Sequence, residues 1–120
     1  MSDPVLIRQI QGSLKNALSF GANWGNYGGA LEVCTYSRMG HLVILQGLAT
    51  KSGTPAAGDV IGTLPENYWP GGQLVFAQDT SEGNSAARVD VLANGQIVWK
   101  AGGTTEADYT TLSGICFVVD

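Results

Sequence analysis

Ala87-Arg88-Val89-Asp90-Val91-Leu92-Ala93-Asn94-Gly95-Gln96-Ile97-Val98-Trp99 is the stretch whose reading decides how this chain folds. Two alternating apolar and polar segments flank Asn94-Gly95, a dipeptide in which both residues accept positive φ. That pattern predicts a tight two-residue hairpin, whose twist matches the right-handed twist of the strands it joins. Outward from the hairpin, short β runs and glycine turns recur in both directions, and no catalytic motif interrupts them.

Toward the C-terminus, residues 100–108 read as a loop and residues 112–119 as a nearly unbroken apolar strand. Toward the N-terminus, residues 79–84 form a polar loop and residues 73–78 a strand. Pro65 and Pro70 bracket Tyr68-Trp69, and the strand over residues 59–63 must stop at Leu64-Pro65, because proline cannot donate to a ladder. Residues 51–58 form a surface loop by composition. Residues 31–37 and 42–50 are strands joined around Arg38-Met39-Gly40-His41. Within the second, Leu42-Val43-Ile44-Leu45 lacks alternation, which predicts a strand covered on both sides, by a second sheet and by a neighbour. Residues 23–29 form a glycine-rich loop with two aromatics. Roughly seven or eight strands at spacings of about 8 to 12 residues are the expected signature of an all-β chain, an antiparallel β-sandwich or jelly-roll-like fold.

Residues 5–20 follow another period. Leu6, Ile10, Leu14, Ala17 and Leu18 recur at helical spacing, Ile7 widens the stripe, and Asp3-Pro4 supplies a cap and a first-turn proline. Gly12 opposes this by about 1 kcal/mol relative to alanine. A short N-terminal helix ended by Gly21 is expected, either lying on the β domain or meeting copies of itself in an oligomer.

The chain has 120 residues, enough for one domain with a real core. Its 17 glycines supply turns, and its 6 Lys+Arg and 10 Asp+Glu leave a surface poor in charge. A net charge of -4 argues against a nucleic-acid partner, since affinity for phosphate rests on clustered Lys and Arg. No segment reaches the roughly 20 apolar residues that span a bilayer, so no membrane insertion is expected. No secretory n-region and h-region is seen, and the chain is expected to be made and used without an export signal of its own. Cys34 and Cys116 allow one long-range disulfide by count, but without an export signal two buried free thiols are the expectation.

Motifs that carry chemistry are lacking. His41 is the single histidine and no C-x-x-C is present, so no metal, cofactor or Cys-His nucleophile is indicated. Asp79-x-x-Glu82 lacks the set of oxygen ligands of a calcium loop and reads as a solvated turn. No spacing enforces a carboxylate pair for glycoside hydrolysis, there is no G-x-S-x-G, and the glycines of residues 25–29 resemble no phosphate loop. The chain is therefore read as no enzyme. The aromatics are more informative: Trp24, Tyr27, Tyr68, Trp69 and Tyr109 fall in or beside loops, where aromatic faces serve sugar recognition and protein interfaces. With Asp79 and Glu82 they are the candidate ligand or interface contacts. The plainer reading of Trp24, Trp69 and Trp99 is packing beneath loops or at a subunit boundary.

Taken in order, the signals resemble a known family. Trp24-Gly25-Asn26-Tyr27-Gly28 opens the domain, and the hairpin over residues 36–48 ends in Gln46-Gly47-Leu48. Ile61-Gly62-Thr63-Leu64-Pro65 then precedes Tyr68-Trp69-Pro70, followed by Val89-Asp90-Val91 with Asn94-Gly95 and by Leu112-Ser113-Gly114-Ile115-Cys116-Phe117. Over residues 24–119 this is similar to the C-terminal head domain of tailed-bacteriophage tail fibres and related receptor-binding proteins. The resemblance implies a homotrimeric β-sandwich knob on the external surface of the virion, assembled in the host cytoplasm. Its partners would be other virion proteins and a bacterial surface glycan or protein. Residues 1–22 would then be an N-terminal helical attachment or oligomerisation segment and residues 23–120 the head.

The resemblance makes Thr63-Leu64-Pro65 and Tyr68 with Pro70 framework positions. Many members read Leu-Pro-x-Gly-Tyr-Arg-Pro there, whereas this chain has Glu66-Asn67 without that glycine and Trp69 in place of the arginine. Receptor contacts vary within such families, so no ligand site carries over. The same fold also serves as a trimeric capsid decoration protein, and that role stays open beside host attachment. A lectin unrelated to viruses would explain the aromatics but not their ordered pattern.

Overall fold

The computed structural model describes residues 15–81, 85–102 and 108–120. The first six strands among them are β1 (Asn16–Ala17), β2 (Ser19–Phe20), β3 (Trp24–Asn26), β4 (Thr35–Met39), β5 (Leu42–Gln46) and β6 (Leu48–Lys51). Six more follow: β7 (Asp59–Thr63), β8 (Leu74–Asp79), β9 (Ala86–Val91), β10 (Gln96–Gly102), β11 (Tyr109–Thr111) and β12 (Cys116–Val118). They form three antiparallel sheets, ordered β1-β4-β5-β12, β2-β7-β10-β9-β8 and β11-β6-β3. The inner faces of all three meet in one core, with Val43, Leu45 and Phe117 from the first sheet, Ile61, Val89 and Ile97 from the second, and Trp24 and Ala49 from the third. No helix among the described residues is long and apolar enough to cross a membrane.

The expected strands at residues 59–63 and 73–78 are present as β7 and β8, and the expected hairpin as β9 and β10. Its turn differs. The Gly95 amide donates to Leu92 O and the Leu92 amide to Gln96 O, both at 2.9 Å, so the loop is longer than two residues. Gly95 takes φ +83° and Asn94 stays on the negative side, its Oδ1 accepting from the Gln96 amide at 3.1 Å. A tight turn followed by one left-handed glycine is the next commonest hairpin solution.

The helical expectation for residues 5–20 fails where it is described. Residues 16–20 form β1, paired with β4, and β2, paired with β7. Leu18 between them is buried in the core, and its amide donates to Cys34 O at 3.1 Å. Sheet pairing and burial outweigh the weak local preference for helix. The remainder of that expectation, residues 5–14, lies outside the described residues, as does most of the proposed 1–22 segment.

Other boundaries move for similar reasons. The loop of residues 23–29 contains β3, and the strand expected over residues 31–37 runs Thr35–Met39. The apolar run of residues 112–119 is broken at Ser113-Gly114, where Gly114 takes φ +92° and the Ile115 amide donates to Leu112 O. The short pieces made by such breaks raise the strand number to twelve among the described residues.

Two expectations about burial are corrected. Leu42 and Ile44 are exposed while Val43 and Leu45 are buried, so β5 alternates and only one of its faces is covered by the described residues. Both cysteines are free, but Cys116 is exposed. It faces outward beside Ile44, its register partner on β5. Cys34 is buried, and burial pushes its thiol up to about 12.

Candidate functional site

The small sheet β3-β6-β11 gathers three of the five candidate aromatics. Register places Tyr109 opposite Thr50 and Thr50 opposite Gly25, forming a row on the outer face. Tyr27 follows directly from β3, and its ring meets that of Tyr109 edge-on, with centroids 5.2 Å apart and planes at 80°. Gly25 leaves the surface above it open, because a Cβ there would touch nothing within 4 Å. Tyr27 is 43% exposed and Trp24 only 7%, so the tyrosines face solvent while the indole supports the sheet from beneath.

Two shallow clefts of about 440 Å³ each open beside this row, one over Gly25, Tyr27 and Thr50, the other over Gly58, Asp59 and Val60. Asn23, Trp24 and Lys51 line both and form the wall between them. Asn23 takes φ +69°, one of the few non-glycine types that tolerates it, and its carbonyl accepts from the Ser52 amide at 2.7 Å. This ties the start of β3 to the loop after β6.

Lys51 is spoken for. Its Nζ donates to Asp59 Oδ2 at 2.6 Å and to Thr54 O at 3.2 Å. Partial burial acts to raise the Asp59 pKa, but hydrogen bonds from Lys51 and the Ala56 amide, the Lys51 charge and the Trp24 indole outweigh it and hold the carboxyl below its ordinary value. The indole acts from outside good hydrogen-bond geometry: among the described residues Trp24 Nε1 is the buried side-chain polar atom with no hydrogen-bond partner. The wall thus presents a neutralised ion pair, amides and hydroxyls beside exposed tyrosine rings. That chemistry fits a neutral polyhydroxyl surface better than a strongly charged one.

The other candidate residues lie elsewhere. Tyr68 and Trp69 belong to a single 3-10 turn and its cap, Glu66–Tyr68 followed by Trp69. Tyr68 packs edge-on against Tyr36 at 4.8 Å, and Trp69 Nε1 donates to Leu64 O at 2.6 Å. Both half-buried rings brace the framework. Asp79 is the exposed last residue of β8, and the chain just beyond it joins β11 through a Thr80–Thr110 bridge and the Tyr109 amide donating to Ser81 Oγ at 3.0 Å. Glu82 lies outside the described residues. No group of three His, Cys, Asp or Glu among the described residues is placed to hold a metal ion.

Sequence reasoning missed Asn23, Thr50, Lys51 and Asp59. Asn23 left a signal, an asparagine that follows Gly21-Ala22 and directly precedes a strand. The Lys51–Asp59 pair left none, because the loop geometry between them brings the charges together.

No protein-family model matches this sequence, and neither does any curated protein. Among solved structures, the fold is similar to the receptor-binding protein gp15 of Listeria phage PSA, with a TM-score of 0.71 and 20% identity, covering 95% of this chain and 70% of that one. The likeness at that identity is one of fold: an all-β, antiparallel multi-sheet architecture of the kind found in a phage receptor-binding protein.

Proposed function

We propose that this protein is a non-enzymatic phage virion protein that attaches to the host surface, and that it does so as a homotrimeric knob on the outside of the particle, held there by other virion proteins. The observation that carries the reading is the likeness in fold to a phage receptor-binding protein along nearly the whole chain. The contact surface is the Tyr27–Tyr109 face with the Asn23–Lys51 wall, and its ligand is a glycan of the bacterial surface. Exposed aromatic rings beside small polar groups supply stacking and hydrogen bonds, and three copies on one knob multiply a weak single-site affinity.

Fluorescently labelled protein should bind host cells and lose at least about tenfold in affinity on Tyr27→Ala with Tyr109→Ala, which corresponds to roughly 1.4 kcal/mol. Binding that survives protease treatment of the cells but not removal of surface polysaccharide supports a glycan, and the reverse points to a surface protein. Absence of cell binding, with the labelled protein distributed over capsids of intact particles, would replace attachment by capsid decoration.

A further inference from the structure

Eight large apolar side chains are exposed among the described residues, and four of them, Met39, Leu42, Ile44 and Val118, share one face of the first sheet. Register sets that face in two rows, Met39, Leu42 and Val118 in one and Ser37, Ile44 and Cys116 in the other, and none of the six is charged. Strand spacing of about 4.8 Å and a two-residue repeat of about 6.8 Å make the block roughly 14 Å square. The chain enters this sheet at its flank. β1 lies beside β4 in the order β1-β4-β5-β12, with Asn16 opposite Tyr36 and Ala17 opposite Thr35, and Asn16 Nδ2 donates to Tyr36 O at 3.3 Å. The pairing is antiparallel, so the chain traced back from Asn16 heads along β4 toward Met39 and the apolar rows.

We infer that residues 5–14 lie across the outer face of β5 and β12 of their own chain and cover it. This goes beyond host attachment and does not rest on it. The segment carries the complementary surface in its sequence. At about 100° per residue, Leu6, Ile7, Ile10 and Leu14 fall within an arc of about 100°, and Arg8, the one charge in the segment, falls on the opposite side. So short a helix is marginal alone in water and takes its stability from a surface on which its apolar side packs. Size agrees. A rise of about 1.5 Å per residue and a helix width of about 10–12 Å give a footprint of roughly 15 by 11 Å, close to that of the block. The distance from β1 to β12, three strand spacings or about 14 Å, is within its reach. The same size argues against a separate molecule, because a stable complex buries about 800 Å² per partner, several times the roughly 200 Å² offered here. A segment tethered at Lys15 needs no such area, since the tether holds it at an effective concentration on the order of millimolar.

Cys116 sits in the block and reports on its cover, while Cys34 is buried and does not interfere. The test is maleimide labelling of Cys116 on the full chain. Leu6→Asp with Ile10→Asp should raise the labelling rate at least about tenfold over the wild type, and Arg8→Asp, opposite the stripe, should leave it unchanged. Should the double aspartate variant fail to fold, Leu6→Cys, Ile7→Cys and Ile10→Cys carry the test. Oxidised with diamide, at least one of them should close a disulfide to Cys116 within a single chain, identified by its linked peptides at single-chain mass. A wild-type Cys116 that labels as fast as in the urea-unfolded chain overturns the inference, because the face is then open. Slow labelling that persists in the double aspartate variant also overturns it, in favour of cover by another copy or another protein. Disulfides that form only between chains, or not at all, overturn cover by the chain's own segment. Cell binding by the labelled protein reads host attachment separately, so either reading can fail alone.

Discussion

Trp69 lies against Gly95 so closely that a Cβ at position 95 would come within 2.1 Å of Trp69 Nε1 and 2.7 Å of Leu64 O. The Leu64 carbonyl accepts from the same indole nitrogen at 2.6 Å, and the Leu64 amide donates to Gly95 O at 2.9 Å. The hairpin turn, the end of β7 and the turn after Pro65 are thereby locked at one point. Gly95→Ala should cost about 1–2 kcal/mol for its left-handed backbone and a further 1–3 kcal/mol or so for overpacking. Gly40→Ala, with φ +61° and open space around it, should show only the backbone part. Equal urea midpoints for the two variants would dismiss the contact.

Trp69→Phe keeps an aromatic ring but removes the pyrrole part of the indole and with it the donor to Leu64 O, leaving the carbonyl of a buried residue short of a partner. A loss of about 1–3 kcal/mol in urea unfolding is expected. A neutral result would mean that water replaces the indole without cost.

Acid should weaken the protein through two aspartates. Asp90 is fully covered, and burial acts to raise its pKa, but hydrogen bonds from Arg88 at 2.9 and 3.0 Å and from Gln73 at 2.6 Å, with the charges of Arg88 and Lys100, hold it below the ordinary 3.8. Asp59 is held low in the same sense. Groups depressed in the folded state stabilise it fully above the unfolded value, and that stability is lost as pH falls from there through the folded values. Stability should therefore drop below about pH 4, and Asp90→Asn should flatten the drop. An unchanged slope in urea midpoints taken at several pH values would rule Asp90 out.

Cys34 should be inert in the native state, because its thiol is buried and its pKa is pushed to about 12. Its labelling by a thiol reagent should follow global unfolding in urea. Rapid reaction without denaturant would show that the loop before β4 opens locally.

The Tyr27–Tyr109 pair should contribute little to folding. Edge-on rings couple by about 0.5–1.5 kcal/mol, which a double-mutant cycle on thermal unfolding resolves. A much larger coupling would make the pair part of the framework and weaken its claim as a contact surface.

Local rules of the chain carried the all-β class and several of its strands. Proline at position 65 ends β7 because it cannot donate, and Asn94-Gly95 turns the chain because glycine reaches positive φ cheaply; neither depends on distant residues. The resemblance to phage receptor-binding heads likewise rested on ordered local motifs, and the fold is of that kind.

Long-range pairing settled the rest. Residues 16–20 satisfy a helical stripe and also a strand, and only β4 and β7 beside them select the strand. Tyr27 and Tyr109 are 82 residues apart in the chain and meet because β6 lies between β3 and β11. Lys51 and Asp59, Trp69 and Gly95, and the shared apolar face of β5 and β12 have that origin too. Hydrophobic period and turn chemistry act over a few residues, whereas which side chains converge depends on sheet order and register, and those are properties of the whole packed core.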